Sequence, residues 1–196
     1  MRNILILSLL LGSPLLKAQD SLLNYFTATD NNHESVLIRF EIKSGNTCNG
    51  IDVFRSTDDS TFTLIYTISG VCGSTTSATP YSFEDENPVP NQTNYYRLEF
   101  GNNPPTSSVS VFFVELNELN YFIYPNPVIT TTKIFFSNQS QEDTQIVLVN
   151  NTGQMVLQNL TNTDFWEPNL TDLASGTYFF SIYISGRVTM GTLLKF

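Results

Sequence analysis

Little in this sequence is suited to chemistry. It holds two cysteines, one histidine and one tryptophan in 196 residues, and only 14% of its side chains are charged, against about 25% in an average soluble domain. Two thiols and one distant His33 fall short of the four ligands of a structural zinc site. His33 would also have to carry any Ser-His-Asp site, but no Gly-x-Ser-x-Gly elbow accompanies it. Its run, Asp30-Asn31-Asn32-His33-Glu34, reads as an exposed polar loop. Glu84-Asp85-Glu86 and Asp58-Asp59 place carboxylates side by side. Neighbours along a strand point to opposite faces, so such runs seldom converge on a substrate or a cation. Both read as solvated turns, and neither has calcium-loop spacing. Phosphate-binding glycine loops are absent. Basic residues number 9 against 18 acidic ones, for a formal charge of −9, which repels nucleic acid and anionic lipid alike. No catalytic, cofactor-binding or metal residue is assigned; no cofactor and no nucleic-acid partner are expected.

One long apolar run is present, at the start. Residues 4–11 are broken only by Ser8, follow the positive Arg2 and end at Gly12 and Pro14, with Ala18 before Gln19 as a cleavage position. That is the pattern of a signal peptide over residues 1–18. The run is far short of the ~20 residues of a membrane span. No later segment is apolar enough to span, so the mature chain is expected to be soluble. Losing Arg2 and Lys17 leaves 7 basic and 18 acidic groups and takes the charge from −9 to −11.

Export gives the cysteines a meaning, because disulfides persist in oxidising compartments. Between Cys48 and Cys72 the sequence reads strand, turn, strand: residues 51–55, then 57–60, then 62–68. Phe62, Leu64, Tyr66 and Ile68 alternate onto one face. An antiparallel hairpin with its turn near the midpoint brings both cysteines to its open end, and a Cys48–Cys72 disulfide follows. Closing that loop would stabilise the fold by roughly 3 to 4 kcal/mol in the chain-entropy model.

The rest of the chain is strand after strand, helped by 41% hydrophobic and 13% aromatic residues. Val36, Ile38, Phe40 and Ile42 alternate with polar neighbours; Tyr96, Leu98 and Phe100 do the same; residues 107–116 form a strong last strand. About seven strands at this spacing fit a sandwich of the immunoglobulin or fibronectin III kind. A polar stretch around Asn117 to Asn120 separates it from a second set. The expected fold class is therefore all-β: two consecutive immunoglobulin/fibronectin III-like antiparallel β-sandwiches after a signal peptide, over residues 19–116 and 122–196, with a link at 117–121. Tyr25, Phe54 and Tyr95 could form an aromatic platform for a sugar, and Trp166 reads as packing.

The second module carries a signature. Tyr124-Pro125-Asn126-Pro127-Val128 opens it and Asn151-Thr152-Gly153-Gln154 stands in its middle. Leu173-Ala174-Ser175-Gly176-Thr177-Tyr178 follows, and Gly191-Thr192-Leu193-Leu194-Lys195 closes it. In order and spacing these resemble the type A C-terminal sorting domain of type IX secretion cargo from Bacteroidetes. The resemblance implies passage through the periplasm, recognition by the outer-membrane translocon, removal of the module by a sortase, and arrival at the outer cell surface or in the medium. The chain ends Lys195-Phe196, where the family's tail is often more basic. Physically, the prolines flanking Asn126 stop a ladder and mark the approach to a first strand. Gly176 suits a turn at positive φ.

The first module is similar, more loosely, to the fibronectin type III-like modules that precede such domains. Cys48-Asn49-Gly50-Ile51, Gly70-Val71-Cys72-Gly73, Phe83-Glu84-Asp85 and Tyr95-Tyr96-Arg97-Leu98 carry that likeness. It implies an accessory module that binds a surface glycan or a protein, not an enzyme. Two other readings remain: a structural subunit assembling through the 107–116 edge, and a small hydrolase built on His33.

Overall fold

The computed structural model describes residues 20–101, 103–116 and 118–196. The expected signal peptide, and Asn117 of the expected link, lie outside them. Period-two alternation builds the first sandwich from β1 (Leu23–Asn31), β2 (Ser35–Ile42), β3 (Asn46–Ser56), β4 (Thr63–Ser74), β5 (Thr79–Asp85), β6 (Gln92–Phe100) and β7 (Val109–Phe113). They form two antiparallel sheets, in the orders β1-β2-β5 and β4-β3-β6-β7. Val36, Ile38, Phe40 and Ile42 of β2 face Ile51, Val53, Tyr96, Leu98 and Phe100 of the other sheet, each at most 2% exposed. The last strand is shorter than the run of apolar residues suggests, ending at Phe113. The first strand, β1, carries too many polar residues to stand out in the sequence.

Cys48 and Cys72 lie directly opposite one another in the β3–β4 register and form a disulfide with Cα atoms 5.0 Å apart. The face expected for Phe62, Leu64, Tyr66 and Ile68 does not survive as one row. The register slips between Val53 and Phe54, so that Ile65 is an extra residue in β4. Such a bulge reverses the alternation beyond it. Ile65 and Ile68 pack on the core. Tyr66 stacks on Phe83 at 4.3 Å, while Leu64 is 50% exposed and the Phe62 ring instead lies under the Arg97 guanidinium. The acidic run 84–86 is not a solvated turn either. Asp85 is buried and accepts from Arg55 at 2.7 Å and from the Tyr96 hydroxyl at 2.8 Å, which ties the two sheets together. Burial, then the Asp85 charge, pushes the Tyr96 hydroxyl far above its ordinary pKa.

The second sandwich is made of β8 (Tyr121–Tyr124), β9 (Lys133–Phe136), β10 (Thr144–Val149), β11 (Met155–Thr161), β12 (Phe165–Trp166), β13 (Gly176–Ile184) and β14 (Arg187–Lys195). Its sheets run β12-β9-β8 and β11-β10-β13-β14. They enclose a separate core of Ile134, Phe136, Ile146, Leu148, Phe180, Ile182 and Leu193, closed by Val128, Leu170 and Trp166. Among the described residues no α-helix occurs, and no helix is long and apolar enough to cross a membrane.

Candidate recognition site at one end of the second sandwich

Four sequence elements spread over residues 124–195 meet at one end of this sandwich. The registers place them there. Gly176 pairs with Lys195, and Val149 pairs with Phe179, so the start of β13, the end of β14 and the turn after β10 share an end. Asn120, where the chain comes in from the first sandwich, shares a cleft with Ile184 and Arg187 at the opposite end.

The Pro-Asn-Pro segment and the C-terminal strand are stitched together. β14 is the edge of its sheet, and its outer backbone groups need partners. Asn126 supplies two: its Oδ1 accepts the Leu194 N–H at 3.0 Å, and its Nδ2 donates to the Thr192 carbonyl at 3.3 Å. One step on, the Val128 N–H donates to the Leu194 carbonyl at 2.8 Å and the Phe196 N–H to the Val128 carbonyl at 2.9 Å, a parallel bridge. Proline cannot donate; Pro125 and Pro127 therefore leave the pairing to Asn126 and Val128. The prolines end the first strand, β8, instead of leading into it. The Pro125 carbonyl accepts the Thr132 hydroxyl at 2.6 Å.

Lys195 is not part of an exposed basic tail. It is buried, with Nζ donating to the Ile129 carbonyl at 2.6 Å and the Phe196 carbonyl at 2.8 Å. Gly153 has φ +81° in a turn organised by Asn150, whose Oδ1 accepts the N–H groups of Thr152 and Gln154 at 3.1 and 3.0 Å. Gly176 does not have the positive φ expected of it: it is the first residue of β13. The bend lies upstream, where the buried Tyr178 turns back and its hydroxyl donates to the Ala174 carbonyl at 2.7 Å. That leaves Leu173 packed against the core.

Gly191 carries a role the turn chemistry does not reveal. A Cβ there would lie 2.2 Å from Phe180 Cζ and 2.8 Å from Tyr121 Cζ. The Tyr121 and Phe180 rings meet edge to face at 5.2 Å over this point. Glycine inside a strand is the signal for such an approach.

From this end the outer face of β11-β10-β13-β14 extends uncovered. Met155, Leu160, Phe179, Tyr183, Val188 and Met190 stand on it, between 42% and 72% exposed. Gln145, Gln158, Ser181 and Thr192 fill the spaces, and Asp143 and Arg187 flank the face at its far end, in a cleft with Leu160, Tyr183 and Val188.

The aromatic platform is not assembled. Tyr25 lies on β1 of one sheet, whereas Phe54 and Tyr95 lie on β3 and β6 of the other, and Arg97 sits 5.3 Å above the Phe54 ring. Nor is His33 in an exposed loop. Its side chain is 8% exposed, with Nδ1 2.8 Å from Asp30 and Nε2 3.4 Å from Asp164 of the second sandwich. The longer contact is one of charge rather than an aligned hydrogen bond. Burial pulls the His33 pKa down, but Asp164 and Asp30 outweigh it and raise it to about 9. Pairing with His33 holds the Asp164 carboxyl below its ordinary range. Asp58 caps the β3–β4 turn through the N–H groups of Ser60 and Thr61.

Fold and site define a tandem β-sandwich protein whose second sandwich is closed by a built-in terminal signature. Residues 122–195 match the family described as the secretion system C-terminal sorting domain. The second sandwich is accordingly a domain of that family, and its presence indicates export by the type IX secretion system to the cell surface or the medium. None of the curated proteins matches it. Among solved structures it is similar to a two-domain fibronectin type III segment of chicken tenascin, at 8% identity, over 88% of this chain and 98% of that one, with a TM-score of 0.38. It is also similar to the FN1–FN3 domains of chicken CNTN1, at 11% identity, over 89% and 66%, with a TM-score of 0.34. The ligand-binding domain of human OSCAR aligns at 12% identity, over 87% and 96%, with a TM-score of 0.32.

Proposed function

We propose that the first sandwich is the working part of the mature protein, that it acts by binding a surface glycan or a protein, and that it has no catalytic activity. The second sandwich is its removable label. The observation that carries this is the division of labour in the chain: the sorting-domain match covers one sandwich and stops before the other. His33 supports the non-catalytic reading, since both of its ring nitrogens face carboxylates and neither is offered to a nucleophile.

In this reading residues 1–18 take the chain to the periplasm. The translocon then docks on the end formed by Asn126, the 150–154 turn and the C-terminal strand, and on the apolar face running from it. A sortase cuts between residues 116 and 124. An exposed apolar patch of this kind, flanked by few charges on an acidic protein, suits a protein partner better than a charged polymer.

The test is fractionation of a host with this secretion system expressing the full chain and a version truncated after Leu116, with intact-mass analysis. The expected result is full-chain product outside the cell or on its surface, shortened by the second sandwich, with the truncated form retained in the periplasm. Equal location of both at full mass would overturn the reading.

A further inference from the structure

The outer face of β12-β9-β8 is aromatic. Tyr121, Ile123, Ile134, Phe136 and Trp166 turn inward to the second core. Alternation sends Phe122, Tyr124, Lys133, Phe135 and Phe165 outward. Their rings form a row: Phe122 lies 6.4 Å from Tyr124 and 6.3 Å from Phe135, which lies 6.4 Å from Phe165. Lys133 sits 4.2 Å above the Phe165 ring and pairs with Glu167 at 2.7 Å.

Unlike the open face of the larger sheet, this one has a neighbour. Phe112 of β7 stacks on Tyr124 at 5.4 Å and lies 6.5 Å from Phe135. His33, in the β1–β2 turn, meets the Phe135 ring edge-on at 6.1 Å. Beside it the Gln139 amide donates to the Glu34 carboxylate at 3.2 Å.

The turn is shaped for this contact. Asn32 and His33 both have left-handed backbones, at φ +57° and +62°, with no glycine between them. Asn and His adopt that conformation more readily than most side chains, and local hydrogen bonds then hold it. Asp30 holds it, one carboxylate oxygen accepting the His33 N–H at 2.7 Å and the other meeting Nδ1 at 2.8 Å. Nε2 is thereby aimed at Asp164.

We propose that the aromatic face of β12-β9-β8 is a docking surface for the chain's own first sandwich, and that His33, held between Asp30 and Asp164, fastens the two sandwiches into one rigid body in solution. The charged groups around His33 are Asp30 on β1, Glu34 in the turn, Glu84 on β5 (which accepts from Asn31 and Ser35), Asp164 ahead of β12, and Lys133 on β9, itself paired with Glu167. The imidazolium is the positive charge between two carboxylates. Removing it leaves Asp30 and Asp164 repelling across a neutral ring.

The test is backbone 15N relaxation on residues 19–196. At neutral pH both sandwiches are expected to share one rotational correlation time. His33→Asn, which tolerates the left-handed turn, is expected to split it into two shorter times, and Asp164→Asn to do the same from the opposite side. Wild type is expected to split as pH passes about 9. Dispersed amide spectra from both cores separate undocking from unfolding, and Asp164→Asn carries the test should the turn variant misfold. Two correlation times in wild type at neutral pH, or a single time retained in folded Asp164→Asn, would overturn the proposal.

Discussion

Replacing Asn126 by alanine asks whether the signature at the end of the second sandwich is structural as well as recognised. The change removes the hydrogen bonds to Leu194 N–H and Thr192 carbonyl, at 3.0 and 3.3 Å. Both are solvent-accessible, so each is worth the lower part of the usual range of about 0.5 to 1.5 kcal/mol. The expected loss is about 1 to 2 kcal/mol. A module of about 75 residues rarely holds more than 3 to 5 kcal/mol from its core. At about 4 to 8 °C per kcal/mol for this size, its midpoint should fall by about 5 to 15 °C. The assay is built into the protein. Trp166 is the one tryptophan in the sequence and belongs to the second core, so its emission follows that sandwich alone. Asn126→Asp keeps the acceptor for Leu194 and loses the donor, and should fall between. Hydrogen exchange at the Leu194 amide should speed up in step. If the Trp166 transition does not move and Leu194 keeps its protection, Asn126 does not hold the C-terminal strand, and the stitched edge is not what stabilises this end.

Gly191→Ala forces a Cβ to within 2.2 Å of Phe180; it should destabilise the second sandwich by about 1 to 3 kcal/mol by overpacking, read on Trp166. Reduction of Cys48–Cys72, or Cys72→Ala, should cost the first sandwich roughly 3 kcal/mol, read by circular dichroism in chemical denaturation. Tyr178→Phe removes the hydrogen bond to the Ala174 carbonyl and should cost about 1 kcal/mol in the same Trp166 assay. The pH dependence follows from His33, whose folded-state pKa, about 9, lies above its unfolded value of 6.5. Its stabilisation is therefore complete below pH 6.5 and lost as pH rises to about 9. The displacement bounds it at about 3 kcal/mol, and the 44% exposed Asp164 side chain reduces this by screening to about 1 kcal/mol. Thermal melts at pH 6.5 and 9.5 should differ by that amount in wild type and not in His33→Asn.

Alternation and turn residues reveal strands locally. The β2, β6 and β10 cores and the disulfide hairpin were therefore legible, because each depends on neighbours two residues apart or on a single possible pair. β1 and the two-residue β12 were not legible: the first is too polar to stand out, and the second too short to show a period. The bulge at Ile65 moved Leu64 to solvent for the same reason, since an extra residue leaves no mark in composition. The conformation of Gly176 is not legible locally, because the turn is closed upstream by the Tyr178 hydroxyl on the Ala174 carbonyl.

The signature itself could be read as four ordered elements, with Asn126, Gly153, Gly176 and Lys195 in their places. That they share one end of a sandwich, with Asn126 bonded to Leu194 and Lys195 buried against Ile129, is decided by strand order and register. The sequence by itself determined the class of fold, the disulfide and the family of the last module, because these rest on periodicity, on a single cysteine pair and on a linear motif. Only the tertiary structure decided that the His33 ring, in the β1–β2 turn, is covered and set between Asp30 and Asp164 of the other sandwich. Its partners Asp164 and Phe135 lie more than a hundred residues away and become neighbours only when the aromatic face of one sandwich meets the other.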